Sequence, residues 1–85
     1  MTIPYTKTEP EMLPWDKLTK GDIITYEYGD YGNFITIAFD KGEAEPNSHF
    51  IKITGRLVMN GQPHHSFAPA YGGIAPEFKK IGKEN

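Results

Sequence analysis

His64 and His65 stand side by side in the stretch G-Q-P-H-H-S-F. Imidazole nitrogens are common transition-metal ligands, so the pair invites a metal reading, with His49 or a carboxylate completing the shell. Protein metal sites draw their ligands from spaced positions, however, and no spaced third ligand is evident. The chain has no cysteine, which removes thiolate ligands, thiolate nucleophiles and disulfides. No metal and no other cofactor is expected.

The carboxylates and hydroxyls give a similar result. Glu43 and Glu45 share one loop, while Asp16, Asp22 and Asp30 stand beside turn residues. Acid–base catalysis needs two carboxylates facing each other across a cleft with separated pKa values. Aspartate near a turn is already explained by its hydrogen bonds to the local backbone. Ser48–His49 and His65–Ser66 are neighbours in sequence, whereas nucleophile and base are assembled from distant positions. Neither a G-x-S-x-G elbow nor a phosphate loop is present. The chain is expected not to be an enzyme.

A more informative set is Tyr31, Phe34, Phe50, Lys52 and Arg56, which mixes aromatic rings with cations. Such a mixture suits a protein interface, whose core is enriched in aromatics and arginine. It also suits a single-stranded nucleic acid, where rings stack on bases and cations follow phosphates. The net charge of −2 and the acidic loop weigh against the second use. A protein partner is therefore the expectation, with a single-strand-binding β-barrel as the alternative.

These residues need a scaffold, and the middle of the chain supplies one. Residues 22–28 (D-I-I-T-Y-E-Y), 33–40 (N-F-I-T-I-A-F-D) and 49–60 (H-F-I-K-I-T-G-R-L-V-M-N) are rich in β-branched and aromatic residues and bounded by turn formers. They predict a three-stranded antiparallel meander with a tight first turn and a loop at 41–48. Alternation places Ile35, Ile37, Phe39, Ile51, Ile53, Leu57 and Met59 on an apolar face. Phe34, Thr36, Ala38, Lys52, Thr54 and Arg56 take the other. The expected pairs are Tyr26 with Ile35, Ile24 with Ile37, Ile37 with Ile53, and Phe39 with Ile51. On the polar face this makes the rows Thr25–Thr36–Thr54, Glu27–Phe34–Arg56 and Ile23–Ala38–Lys52. Gly55 is expected at a bend or bulge.

The ends read differently. Residues 1–14 carry Pro4, Pro10 and Pro14, which predicts an extended arm. Trp15 and Leu18 predict a short turn docked on the sheet. Residues 61–76 hold three prolines and three glycines and read as an irregular loop. Residues 77–81 (E-F-K-K-I) suit a strand or one helical turn.

At 85 residues the chain is expected to be a single small β domain spanning 1–85. The expected form is a partly open barrel, SH3-like or OB-like, with irregular ends. Leu18–Thr19–Lys20–Gly21–Asp22–Ile23 resembles the lead-in to the first strand of such barrels. No apolar run approaches the length of a transmembrane helix, no signal peptide is visible at the N-terminus, and the composition is cysteine-free. A complete, cytoplasmic product without membrane contact is the expectation. Small binders of this type act as adaptors, accessory subunits or inhibitors, including viral or mobile-element proteins that block a host enzyme. An unprotected edge strand adds a route to a homo-oligomer.

Overall fold

A computed structural model of the chain describes residues 2–27, 32–46, 48–70 and 76–85. Six strands follow one another: β1 (Tyr5–Pro14), β2 (Asp22–Glu27), β3 (Phe34–Ala44), β4 (Phe50–Leu57), β5 (Pro63–Pro69) and β6 (Glu77–Glu84). A 3-10 turn, Trp15–Lys17, separates β1 from β2. The strands form one antiparallel sheet in the order β1-β6-β2-β3-β4-β5. The last strand therefore inserts between the first two.

The fold is mainly β, as the sequence predicts, but it has six strands rather than three, and the sheet does not close into a barrel. The supposed arm is β1, hydrogen-bonded to β6 along most of its length. The supposed loop at 61–76 contains β5, paired with β4 from Pro63 to Pro69. The prolines at the ends of β5 are compatible with a strand for a simple reason. The bonds Ala70 N–H to His49 O and Leu57 N–H to Gln62 O turn the even-numbered residues of this stretch toward β4. Pro63 and Pro69 then face outward, where a missing N–H costs no ladder bond. Residues 77–81 belong to a strand.

The first hairpin has its expected register, with Tyr26 opposite Ile35 and Ile24 opposite Ile37. The second is displaced by four residues: Ile37 faces Leu57 and Phe39 faces Gly55. β3 runs on to Ala44, where the sequence suggested a loop from residue 41. A bulge at Asp40 absorbs one residue between Phe39 and Lys41. An even displacement keeps the side chains within β3 and β4 on their predicted faces while changing all their neighbours. The row Thr25–Thr36 survives without Thr54, which stands opposite Lys41, and Glu27–Phe34 survives without Arg56. Met59 is not on the apolar face; it sits 71% exposed in the turn after β4, and Val58 is buried instead.

Each face of the sheet carries a core. The larger holds Leu18, Ile24, Ile37, Phe39, Ile51, Ile53 and Phe78, with Trp15, Tyr26 and Leu57 packed around it. Burying each Ile, Leu or Phe contributes about 1.5–3 kcal/mol. The smaller, on the opposite face, holds Ile3, Ile23, Ala38 and Val58, flanked by Tyr5 and Ile81. Ile3 reaches it by bonding its N–H to Val58 O at 2.8 Å.

Two glycines answer to specific constraints. Gly21 has φ 94 and completes a turn closed by Asp22 N–H to Thr19 O, which demands a left-handed residue. Gly55 has no room for a side chain: a Cβ there would lie 2.4 Å from the carbonyl oxygen of Ala38. The predicted irregularity thus exists, but the bulge itself is on the facing strand, β3.

Candidate binding surface

The small core covers only part of its face. Beyond it, the pairings run in a row from Met12 through Lys79 and Thr25 to Thr36, across β1, β6, β2 and β3. The next row contains Pro14 opposite Glu77 and Glu27 opposite Phe34. Met12, Thr25, Tyr26, Glu27, Phe34, Glu77 and Lys79 line a depression of about 520 Å³. Phe34 is 71% exposed and Met12 56%.

On the other face a second depression, about 330 Å³, is lined by Tyr26, Glu27, Ser66, Phe67, Ala68, Pro69, Pro76, Glu77 and Phe78. It separates the outer edge of β5 from the start of β6. Tyr26 Oη lies 2.7 Å from Ser66 Oγ, although two strands intervene in the sheet. Only a strongly coiled sheet brings these residues together. The Tyr26 ring also meets Phe78 edge-on, with centroids 5.3 Å apart.

Among the described residues, those singled out in the sequence do not form one patch. Phe34 lines the larger depression. Phe50 and Lys52 share its sheet face but lie roughly 25–35 Å away along the strands, at about 3.3 Å per residue. Their neighbours are on β5: Lys52 pairs with Phe67, which is 54% exposed, and Phe50 with Pro69. His65 contacts the Phe67 ring edge-on. Tyr31 lies outside the described residues.

Arg56 is engaged elsewhere. Its guanidinium donates two hydrogen bonds to Glu84, at 2.6 and 3.1 Å, and sits 3.7 Å from Asp40. Small Ala38 opposite Arg56 leaves space for this reach. Hydrogen bonding from Arg56, helped by its charge, holds the Glu84 carboxyl below the usual glutamate range.

The remaining chemistry-bearing residues are dispersed. His64 and His65 occupy successive positions on β5, so their side chains leave opposite faces of the sheet. Burial, then the neighbouring His65, pushes the His64 pKa down. No group of three metal-ligating side chains occurs among the described residues. Ser66 is buried and bonded to Tyr26, on the face opposite His65. Asp22, 1% exposed, receives hydrogen bonds from Thr19 N–H at 2.8 Å, Thr19 Oγ1 at 3.2 Å and Lys83 Nζ at 3.0 Å. Lys80 Nζ stands 3.4 Å away.

Sequence reasoning missed Met12, Glu77, Lys79 and Phe67. Alternation across E-F-K-K carried a signal for Glu77 and Lys79, since Phe78 must point inward if the segment is a strand. Nothing local could place them beside Met12 and Phe34. No protein-family model, curated protein or solved structure matches the chain. No helix among the described residues is long and apolar enough to cross a membrane.

Proposed function

We propose that the chain is a non-catalytic binding module that takes a protein partner in the depression between Met12 and Phe34. One observation carries this reading: two large apolar side chains stand mostly in water around a single depression, on a sheet face whose other part is packed. In a chain this small, each such side chain forgoes stabilisation of about 1–2 kcal/mol that burial would supply. A partner that covers them recovers it. Phenylalanine and methionine are also residues that interface cores favour. An adaptor, accessory subunit or inhibitor has this character.

The test is a capture from source lysate with the wild type and with Phe34→Ser, each with and without nuclease. A stoichiometric protein held by the wild type, released by the variant and unaffected by nuclease supports the proposal. Equal capture by both removes Phe34 from the interface.

A single-stranded nucleic acid is the second reading, and a different observation favours it. Phe50 and Phe67 expose their rings on neighbouring strands around Lys52, at the far end of the same face. Bases would stack there. Arg56 contributes little to this reading because two carboxylates already neutralise it. Steeply salt-dependent oligonucleotide binding, lost in Lys52→Ala and Phe67→Ala, would establish this use.

A further inference from the structure

The ladder between β2 and β6 ends at Thr25 opposite Lys79, although both strands continue. Extending that register past its last pair on this face would set Glu27 opposite Glu77. Like charges directly across a sheet repel. Both carboxylates line both depressions, so they flank the notch where the two strands part. Among the described residues neither is in an ion pair. Apolar side chains stand on either side, Phe34 beside Glu27 and Met12 along β1.

We infer that this notch receives an arginine side chain of the protein partner, an assignment that rests on the protein-binding reading above. A guanidinium spreads its five donors across a plane, so it can bond two carboxylates at once. Its flat face stacks on an aromatic ring such as Phe34, and its methylene stem suits the apolar wall. An ammonium is a compact point charge and makes less use of this arrangement. A metal ion lacks a third acidic or imidazole ligand among the described residues. The chain's single arginine is held by Glu84 and Asp40, so the occupant comes from another molecule.

The test is an amide-resolved NMR titration with two peptides, Ac-Leu-Arg-Leu-NH2 and its citrulline counterpart, which keeps the shape and loses the charge. The arginine peptide should shift Thr25, Glu27, Phe34 and Lys79 and bind about tenfold more tightly than the citrulline peptide, a difference of about 1.4 kcal/mol. The double variant Glu27→Gln/Glu77→Gln should unfold at or above the wild-type temperature and remove that preference. Equal binding of the two peptides at these residues overturns the arginine assignment while leaving the depression as a protein site. No shift with either peptide also overturns it, and the Phe34→Ser capture then decides the wider reading separately. Shifts of the same residues by an oligothymidylate of similar affinity overturn both.

Discussion

Asp22→Asn is the perturbation that most directly tests how the inserted strand is held. Asp22 begins β2, and its buried carboxylate bonds to Thr19 and to Lys83, with Lys80 close by. Burial raises its pKa, but the Thr19 backbone bond, the Lys83 hydrogen bond and the two lysine charges together hold the net value below the ordinary one. Asparagine keeps the shape and an oxygen for Thr19 N–H while removing the charge that faces both lysines. A hydrogen bond to a charged group is worth about 1.5–3 kcal/mol. The side chain of Lys83 is 44% exposed and that of Lys80 21%, so water recovers part of the loss. The net expectation is about 1–3 kcal/mol of destabilisation. For a chain of this size each kcal/mol moves Tm by about 4–8 °C.

The assay is thermal unfolding of both proteins by circular dichroism from neutral pH into acid. Because the folded pKa is depressed, the stabilisation from Asp22 is present above the unfolded carboxylate value, about 3.9. It disappears as pH falls through the lower folded value. The gap in Tm between wild type and variant should therefore be widest near neutrality and close in acid. Other carboxylates titrate in both proteins, so the gap isolates Asp22. Equal Tm near neutrality, or a gap that persists in acid after Asp22 is protonated, refutes the reasoning.

Gly55→Ala should lower stability by about 1–3 kcal/mol through overpacking, because the new methyl would meet the Ala38 carbonyl; urea unfolding measures it. Glu84→Gln should cost about 0.5–1.5 kcal/mol, discounted because Arg56 is about one-third exposed. That cost too should vanish in acid, since the depressed Glu84 pKa places its contribution above the unfolded value. Phe34→Ser should change stability by no more than about 0.5 kcal/mol while abolishing capture of the partner. Unfolding of this variant would mean that Phe34 belongs to the core.

Local features made β2 and β3 legible. A short turn and clear alternation fix which residues face each other. The four-residue error in β4 arose at Gly42, set among charged residues as in a loop. In the folded chain Trp15 occupies the space above Gly42: a Cβ there would lie 2.8 Å from the indole. The glycine answers to a tryptophan 27 positions earlier, a constraint that no local pattern expresses. Phe34 stands out in the sequence because an aromatic on a polar face is conspicuous. Its expected neighbour Arg56 was misplaced by the same register error. Met12, Glu77 and Lys79 join Phe34 only because β6 enters between β1 and β2.

That insertion gives β6 two different ends. Its later part is clamped: Lys80 and Lys83 converge on Asp22, and Glu84 grips Arg56 on β4. Its first part is open toward β2, since the ladder begins only at Lys79 and leaves Glu77 and Phe78 beside the notch. The same strand thus supplies stability at one end and, on the proposed reading, a recognition surface at the other. Substitutions near Lys83 and Glu84 should therefore act first on Tm, whereas those at Glu77 and Lys79 should act on binding with little change in Tm. The two effects are separable because the clamped end fixes where the open end stands. If the proposed site binds a partner, a strand held this way has it formed beforehand, so association would forgo much of the ordering cost that a flexible loop would incur.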